Sequence, residues 1–320
     1  MINRRVFLQQ TALTAAAFAA PGATSLIEAA ATQEPETLVK TLYDSLNEPQ
    51  KKALVFPFDD PLRSKIANNW HITDQRIGSF LNADQNAMVR EIFLQLHSEE
   101  YRDKVLAQVE HDSGRAGFGD SSVAIFGEPG TGKFQFVLTG RHCTRRVDGH
   151  SVAGKAFGGP IFYGHAADGF REGPEHKGNA YWYQALSANK VYQMLDGKQR
   201  ETALLEKEPG DSAATIRLKR QAGDLPGLAL ADMTADQKMA VRGVLDDLLM
   251  PFREVDRIES MALVEKGGFD DLRLSFYREG DIGNDEVWDN WRLEGPHMVW
   301  YFRGSPHVHT WVHVSDPETP

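Results

Sequence analysis

Residues 123–138 decide the fold class: they read Val123-Ala124-Ile125-Phe126, then a turn of glycine and proline, then Phe134-Gln135-Phe136-Val137-Leu138. Both ends of this stretch are rich in β-branched and aromatic side chains. Apolar runs of this kind on either side of a glycine-rich turn are typical of two strands joined in a β-hairpin. We therefore predict antiparallel strands here.

The turn of this hairpin, residues 127–133, resembles a phosphate-binding loop. The residue after Lys133 is Phe134, whereas that motif needs serine or threonine there to hold magnesium. Phe134, Phe136 and Leu138 alternate with polar or smaller residues, so we expect a strand rather than the helix whose N-terminus would hold a phosphate. The sequence therefore predicts no nucleotide site at this turn.

Three pairs of segments match in the same order along the chain, which indicates an internal duplication. The pairs are Tyr43, Leu46 and Gln50-Lys51 with Tyr192, Leu195 and Gln199-Arg200; Asp84-Gln85 and Val89-Arg90 with Asp236-Gln237 and Val241-Arg242; and Leu138, Gly140 and His142 with Leu293, Gly295 and His297. We assign a first half to residues 32–185, ending in a glycine-rich loop, and a second half to residues 186–320.

Each half has the same predicted plan, in which helices precede antiparallel strands. Amphipathic helices are expected to begin after the capping residues Asn82 and Thr234, and Ser98 is expected to cap a further helix. In the second half, Leu272–Tyr277 and Trp291–Phe302 correspond to the hairpin of the first. The predicted fold class is α+β, built from two pseudo-repeated halves.

The N-terminus carries the pair Arg4-Arg5, followed by one residue and then Phe7-Leu8. A mildly apolar segment follows, too short for a membrane span of about 20 residues, and Ala29-Ala30-Ala31 offers the small residues that a signal peptidase requires. We interpret residues 1–31 as a twin-arginine signal peptide. It predicts export by the twin-arginine machinery, to the bacterial periplasm or beyond, of a protein without a stable membrane span.

The composition and the absence of one motif argue against two classes of function, nucleic-acid binding and hydrolysis by a Gly-x-Ser-x-Gly enzyme. The chain has 35 Lys+Arg against 45 Asp+Glu, a net charge of −10, and an acidic surface without basic clusters argues against nucleic-acid binding. Cys143 is the only cysteine, so no internal disulfide forms, which agrees with folding before export. No Gly-x-Ser-x-Gly elbow is present, which disfavours a hydrolase of that kind.

Histidines near the C-terminus suggest a metal site. On a strand, His307 and His309 would point to one face, about 7 Å apart along it, and two such imidazoles can bind one ion. His142, in the matching strand of the first half, is the expected third ligand, whereas His313 lies too far along the strand. We predict one transition-metal ion (zinc, copper or iron), with Glu294 as a nearby acid or base or a fourth ligand.

The chain resembles a bacterial family known only as domain of unknown function thirty-five hundred. The resemblance covers about Leu38 to Asp316 and is carried by short motifs taken in order: Phe126-Gly127-Glu128-Pro129, Leu138-Thr139-Gly140-Arg141-His142, Gly173-Pro174, the helix start at Asp232–Gln237, Arg292-Leu293-Glu294-Gly295-Pro296 and His307-Val308-His309. The resemblance implies no particular reaction.

Members of that family carry Gly-His-His in the first-half strand and end with His-x-His followed by Arg-Asp. Here Arg141 replaces the first of those histidines, residues 312–314 replace the Arg-Asp pair, and Glu294 stands where the family has a histidine. The positions that match the family pattern are His142 and the His-x-His pair, the same set that strand geometry selects.

Two functions remain open at this stage, with an unknown small molecule as the partner of either. One is an exported metalloprotein, with or without catalysis. The other is a non-catalytic module that binds a ligand or glycan in a groove between the halves. Its aromatic candidates, most of which are more typical of a core, are Tyr181-Trp182-Tyr183, Trp288, Trp291, Trp300-Tyr301 and Trp311.

Overall fold

The structure is a computed structural model that describes residues 34–166, 179–218, 222–283 and 285–319. The predicted signal peptide, residues 1–31, lies outside the described residues, as does the later part of the glycine-rich loop, residues 167–178. Among the helices that the structure describes, none is long and apolar enough to cross a membrane.

One sheet of eleven strands runs through the described part of the chain. The strands are β1 (Val55–Phe56), β2 (Ser122–Gly127), β3 (Phe134–Gly140), β4 (Cys143–Val147), β5 (Ile161–His165), β6 (Leu204–Leu205), β7 (Leu228–Ala229), β8 (Arg273–Tyr277), β9 (Asn290–Gly295), β10 (Met298–Arg303) and β11 (Val308–Val314). Their order across the sheet is β1-β2-β3-β4-β5-β11-β10-β9-β8-β6, and β7 pairs with β8. Neighbours are antiparallel except β1 with β2 and β6 with β8.

Nine α-helices lie within the described ranges. They are α1 (Pro35–Ser45), α2 (Glu48–Leu54), α3 (Ile77–Phe80), α4 (Ala83–Gln95), α5 (Arg102–Asp112), α6 (Trp182–Met194), α7 (Gly197–Ala203), α8 (Ala235–Leu249) and α9 (Glu254–Lys266). The predicted α+β class is confirmed. The hairpin at residues 123–138 forms as β2 and β3, and a strand rather than a helix follows Lys133.

Helix starts follow their capping residues in two of the three predicted cases. Asn82 begins α4 and Thr234 begins α8, each with a capping box in which the side chain of the third residue bonds back to the capping N–H. The predicted cap at Ser98 is wrong: Tyr101 stands at the N-cap of α5, and Ser98 Oγ donates to the Met250 carbonyl at 2.8 Å instead. The segment 291–302, expected to match one side of the first-half hairpin, forms two strands, because the turn at residues 296–297 divides it into β9 and β10.

The two halves share an unusual pair of glutamines. Gln50 and Gln85 exchange side-chain hydrogen bonds of 2.9 and 3.1 Å, and each also closes a capping box. Gln199 and Gln237 do the same with 3.1 and 2.8 Å. The outer-to-central strand order also matches between halves. The duplication and the boundary at residue 185, which lies within α6, stay predictions that these shared features support.

The sheet has buried residues on both faces. In β2, Val123 and Ile125 join the core against the helices, whereas Ala124 and Phe126 join a smaller core covered by residues 61–72. By the same alternation, His309 of β11 faces away from the helices, on the side of its neighbour Trp311. His165 of β5 faces the helices, on the side of Tyr163.

Most of the aromatic residues proposed for a ligand groove belong to the core. Trp291, Trp300, Tyr301 and Trp311 are each no more than 1% exposed. Trp291 stacks on Phe302 with ring centroids 6.0 Å apart. Buried rings of this kind stabilise the fold by packing, and they leave the groove without its main contacts.

Candidate metal centre

His142 lies in the tight turn between β3 and β4, not on a strand as predicted. Its φ is +53°, a left-handed conformation that is uncommon outside glycine. Its backbone N–H points at the Asn68 carbonyl and at Asn69 Oδ1, each 3.2 Å away. These contacts fix the turn, and the imidazole is 1% exposed.

His307 and His309 bring their rings to the same point. His309 is the second residue of β11, and His307 immediately precedes that strand. Their Nε2 atoms are 3.0 Å apart, and His307 Nε2 is 3.2 Å from His142 Nε2. The structure therefore brings together the three histidines that the sequence selected, all at most 4% exposed.

Two carboxylates orient the rings of His142 and His309. Asp112, at the end of α5, accepts a hydrogen bond of 2.7 Å from His142 Nδ1. Asp211 accepts one of 2.8 Å from His309 Nδ1, and Arg303 Nη1 lies 3.0 Å from the same oxygen. Carboxylates that hold the far nitrogen of a histidine are a regular feature of metal sites, because they fix the ring and raise its basicity.

The three Nε2 atoms cannot all be joined by hydrogen bonds. Because a carboxylate only accepts, the contact with Asp112 places a proton on His142 Nδ1. His309 Nδ1 faces both the Asp211 carboxylate, which accepts, and Arg303 Nη2 at 2.8 Å, which donates. His307 Nε2 is within 3.2 Å of the other two Nε2 atoms, and one proton on it cannot lie on both lines. At least one of the two contacts therefore lacks a hydrogen bond, and a cation bound by the nitrogen lone pairs would take its place.

The local charges also favour a cation. Burial, together with the charge of Arg303, lowers the pKa of His309 to about 3 against the opposing effect of Asp211, so the ring is neutral at physiological pH. Burial raises the pKa of Asp112 and of Asp211, but the histidine hydrogen bonds outweigh it and hold both pKa values well below normal. The neutral His309 ring therefore belongs to a cluster that is flanked by two ionised carboxylates.

The spacing of the three nitrogens matches a coordination sphere. Zinc–nitrogen bonds of about 2.0–2.1 Å in tetrahedral geometry separate neighbouring nitrogens by about 3.4 Å. The separations of His307 Nε2 from the other two, 3.0 and 3.2 Å, fall within a few tenths of an ångström of that value. The cluster could therefore bind one metal ion with little rearrangement.

Gly164 fixes the register that places His309. It lies opposite His309 in the β5–β11 pair, and a Cβ added to it would lie 2.2 Å from the Val308 carbonyl oxygen and 3.2 Å from His309 Cδ2. We expect Gly164→Ala to push β11 away, to lower the free energy of unfolding by roughly 1–3 kcal/mol and to weaken metal binding. Denaturant unfolding measures the change in the free energy of unfolding, and a metal titration measures the change in binding. Gly197→Ala, where a Cβ meets nothing within 4 Å, is the control and should do neither.

Glu294 is not part of the cluster. It lies opposite Val299 of β10, which lies opposite His313 of β11, and His313 is about 13 Å along the strand from His309. The Glu294 carboxylate is 2.5 Å from Arg292 Nη2. The structure therefore gives no support to the predicted acid, base or fourth-ligand role, and we do not carry that role forward.

His313 and Cys143 lie apart from the three-histidine centre. His313 Nδ1 donates to the Ile216 carbonyl at 3.0 Å, outside the three-histidine group. Cys143 packs in the helix-side core, where burial raises the pKa of its thiol. Asp112 and Asp211 are the residues that sequence reasoning missed, because only the fold brings them to the histidines.

Comparison with known proteins identifies the family. A model of the family described as "Protein of unknown function (DUF3500)" matches residues 28–316, a range that contains all three histidines. No curated protein and no solved structure matches the chain. The family description gives no activity, so function must be argued from the centre itself.

Proposed function

We propose that this chain, a member of the DUF3500 family, is an exported protein that holds one transition-metal ion between His142, His307 and His309. The observation that carries the proposal is the convergence of three Nε2 atoms whose protons cannot satisfy all of their contacts. Export rests on the twin-arginine pattern of residues 1–31.

Imidazole nitrogens suit zinc, copper and iron, and these three ions stay open. The two supporting carboxylates add negative charge beside the imidazole ligands, which favours a divalent ion over a monovalent one. Three protein ligands leave one position for water or a substrate atom, so a bound ion would supply Lewis-acid or redox chemistry there. Asp112 and Asp211 would hold the ligand rings in place during any such step.

The test is elemental analysis of the protein recovered from the periplasm after export through its own signal. We expect about one equivalent of one metal at this centre, and its loss from the His142→Ala/His307→Ala variant. The matched control is His297→Ala/His313→Ala, which removes the histidine of the corresponding second-half turn and one further along β11. The control should keep its metal.

Two results would contradict the proposal. If the double variant kept the metal content of the wild type, the three histidines would not be the ligands. If the protein stayed in the cytoplasm, the export assignment would be wrong, and the metal assignment could still be judged on the cytoplasmic protein.

A further inference from the structure

A second group of metal-ligating side chains lies beside the three-histidine centre. One ring nitrogen each of His111 and His165 and a carboxylate oxygen of Asp112 lie within 4.8 Å of one another. Asp112 Oδ1 is 3.4 Å from His111 Nδ1 and 3.3 Å from His165 Nδ1. The donors come from the last turn of α5 and the last residue of β5.

His165 is the unexplained member of this group. Its side chain is only 3% exposed, yet neither ring nitrogen makes a hydrogen bond of good geometry within the described residues. Burying an imidazole without a partner costs free energy, and buried polar groups are nearly always satisfied. The ring is aimed at Asp112, with the His111 ring edge-on at 5.7 Å between centroids.

The second group differs from the first in position and access. By strand alternation His165 faces the helices, whereas His309 faces the opposite side of the sheet. The His111 side chain is 57% exposed, so this group opens to solvent while the three-histidine centre is buried. Asp112 lies at the end of the strands between the two and uses one oxygen toward each.

We propose that His111, Asp112 and His165 form a second site for a divalent transition-metal ion. Two neutral imidazoles and one carboxylate are a common ligand set for zinc and iron(II), and they leave coordination positions open to solvent. We call the ion at this second site the outer ion and the three-histidine centre the inner centre. Asp112 then has two roles: Oδ1 is a ligand of the outer ion, and Oδ2 orients His142 at the inner centre. The protein therefore binds two ions connected through one carboxylate.

A calorimetric titration of the metal-stripped mature protein with zinc tests the second site. We expect two equivalents in the wild type. His111→Ala, an exposed change that should not disturb folding, is expected to weaken one of them about a hundredfold or more, since even outer-shell partners are worth 10–100-fold. His165→Leu should weaken the same equivalent. His150→Asn changes another exposed histidine, one with a left-handed backbone conformation, and should leave both equivalents in place.

The variants separate this inference from the proposed function. Two equivalents in the wild type, with one left in His111→Ala and one left in His142→Ala/His307→Ala, support both sites. One equivalent in the wild type, lost in the double variant and kept in His111→Ala, overturns the second site and leaves the first intact. Two equivalents that persist in both His111→Ala and His165→Leu overturn the ligand assignment.

Discussion

Stripping the metal is expected to lower the melting temperature of the mature protein by about 8 °C. An ion that binds only the folded state stabilises it by about 4 kcal/mol when its free concentration is a thousandfold above Kd. In a chain of this size each kcal/mol corresponds to about 2 °C. Without the ion, the converging Nε2 atoms of His142, His307 and His309 stay buried with at least one contact that lacks a hydrogen bond, which adds to the loss.

The melting experiment is best done in the His111→Ala background, where the inner centre alone contributes. Adding a chelator should lower the melting temperature there and leave His142→Ala/His307→Ala in the same background unchanged. Returning the correct metal should restore the original value. An unchanged melting temperature after verified removal of the metal would contradict this prediction, because it would show that the bound ion does not stabilise the folded protein.

Local pattern was enough to predict the elements that depend on nearby residues. The β2–β3 hairpin, the caps at Asn82 and Thr234, and the α+β class all follow from spacing and side-chain type within about ten residues. His142, His307 and His309 were selected by residue type and predicted strand position, but His142 lies in the β3–β4 turn, so the convergence that the structure shows does not follow from that strand placement. The cap at Ser98 failed because its hydroxyl bonds a carbonyl 152 positions away.

The carboxylates could not be predicted, for a topological reason. Asp112 ends a helix 30 positions before His142, and Asp211 lies in a loop 98 positions before His309. Both reach the histidines only because the central β5–β11 pair joins the two halves and brings their loops to one end of the sheet. Glu294 was expected near the centre because it is close in sequence to His297, the predicted repeat mate of His142. Its pairing with Val299 instead places it near the far end of β9, away from the centre.

Replacing either supporting carboxylate is expected to weaken metal binding at the inner centre by about ten- to a hundredfold. Asparagine keeps an oxygen that can accept the Nδ1–H hydrogen bond but removes the negative charge that makes the ring a stronger ligand. Asp112→Asn should have the larger effect, because that side chain is fully buried, whereas Asp211 is 18% exposed and already shares its charge with Arg303. Competition titration with a chelator of known affinity measures both.

Glu294→Gln is the matched control for these two variants. It also neutralises a buried carboxylate, one paired with Arg292 instead of a histidine, and we expect the metal affinity to stay unchanged. Asp112→Asn should in addition weaken the outer ion, because the same side chain is its ligand, whereas Asp211→Asn should leave that ion in place. If Asp112→Asn and Glu294→Gln bound metal equally well, orientation of His142 by Asp112 would have no part in the centre.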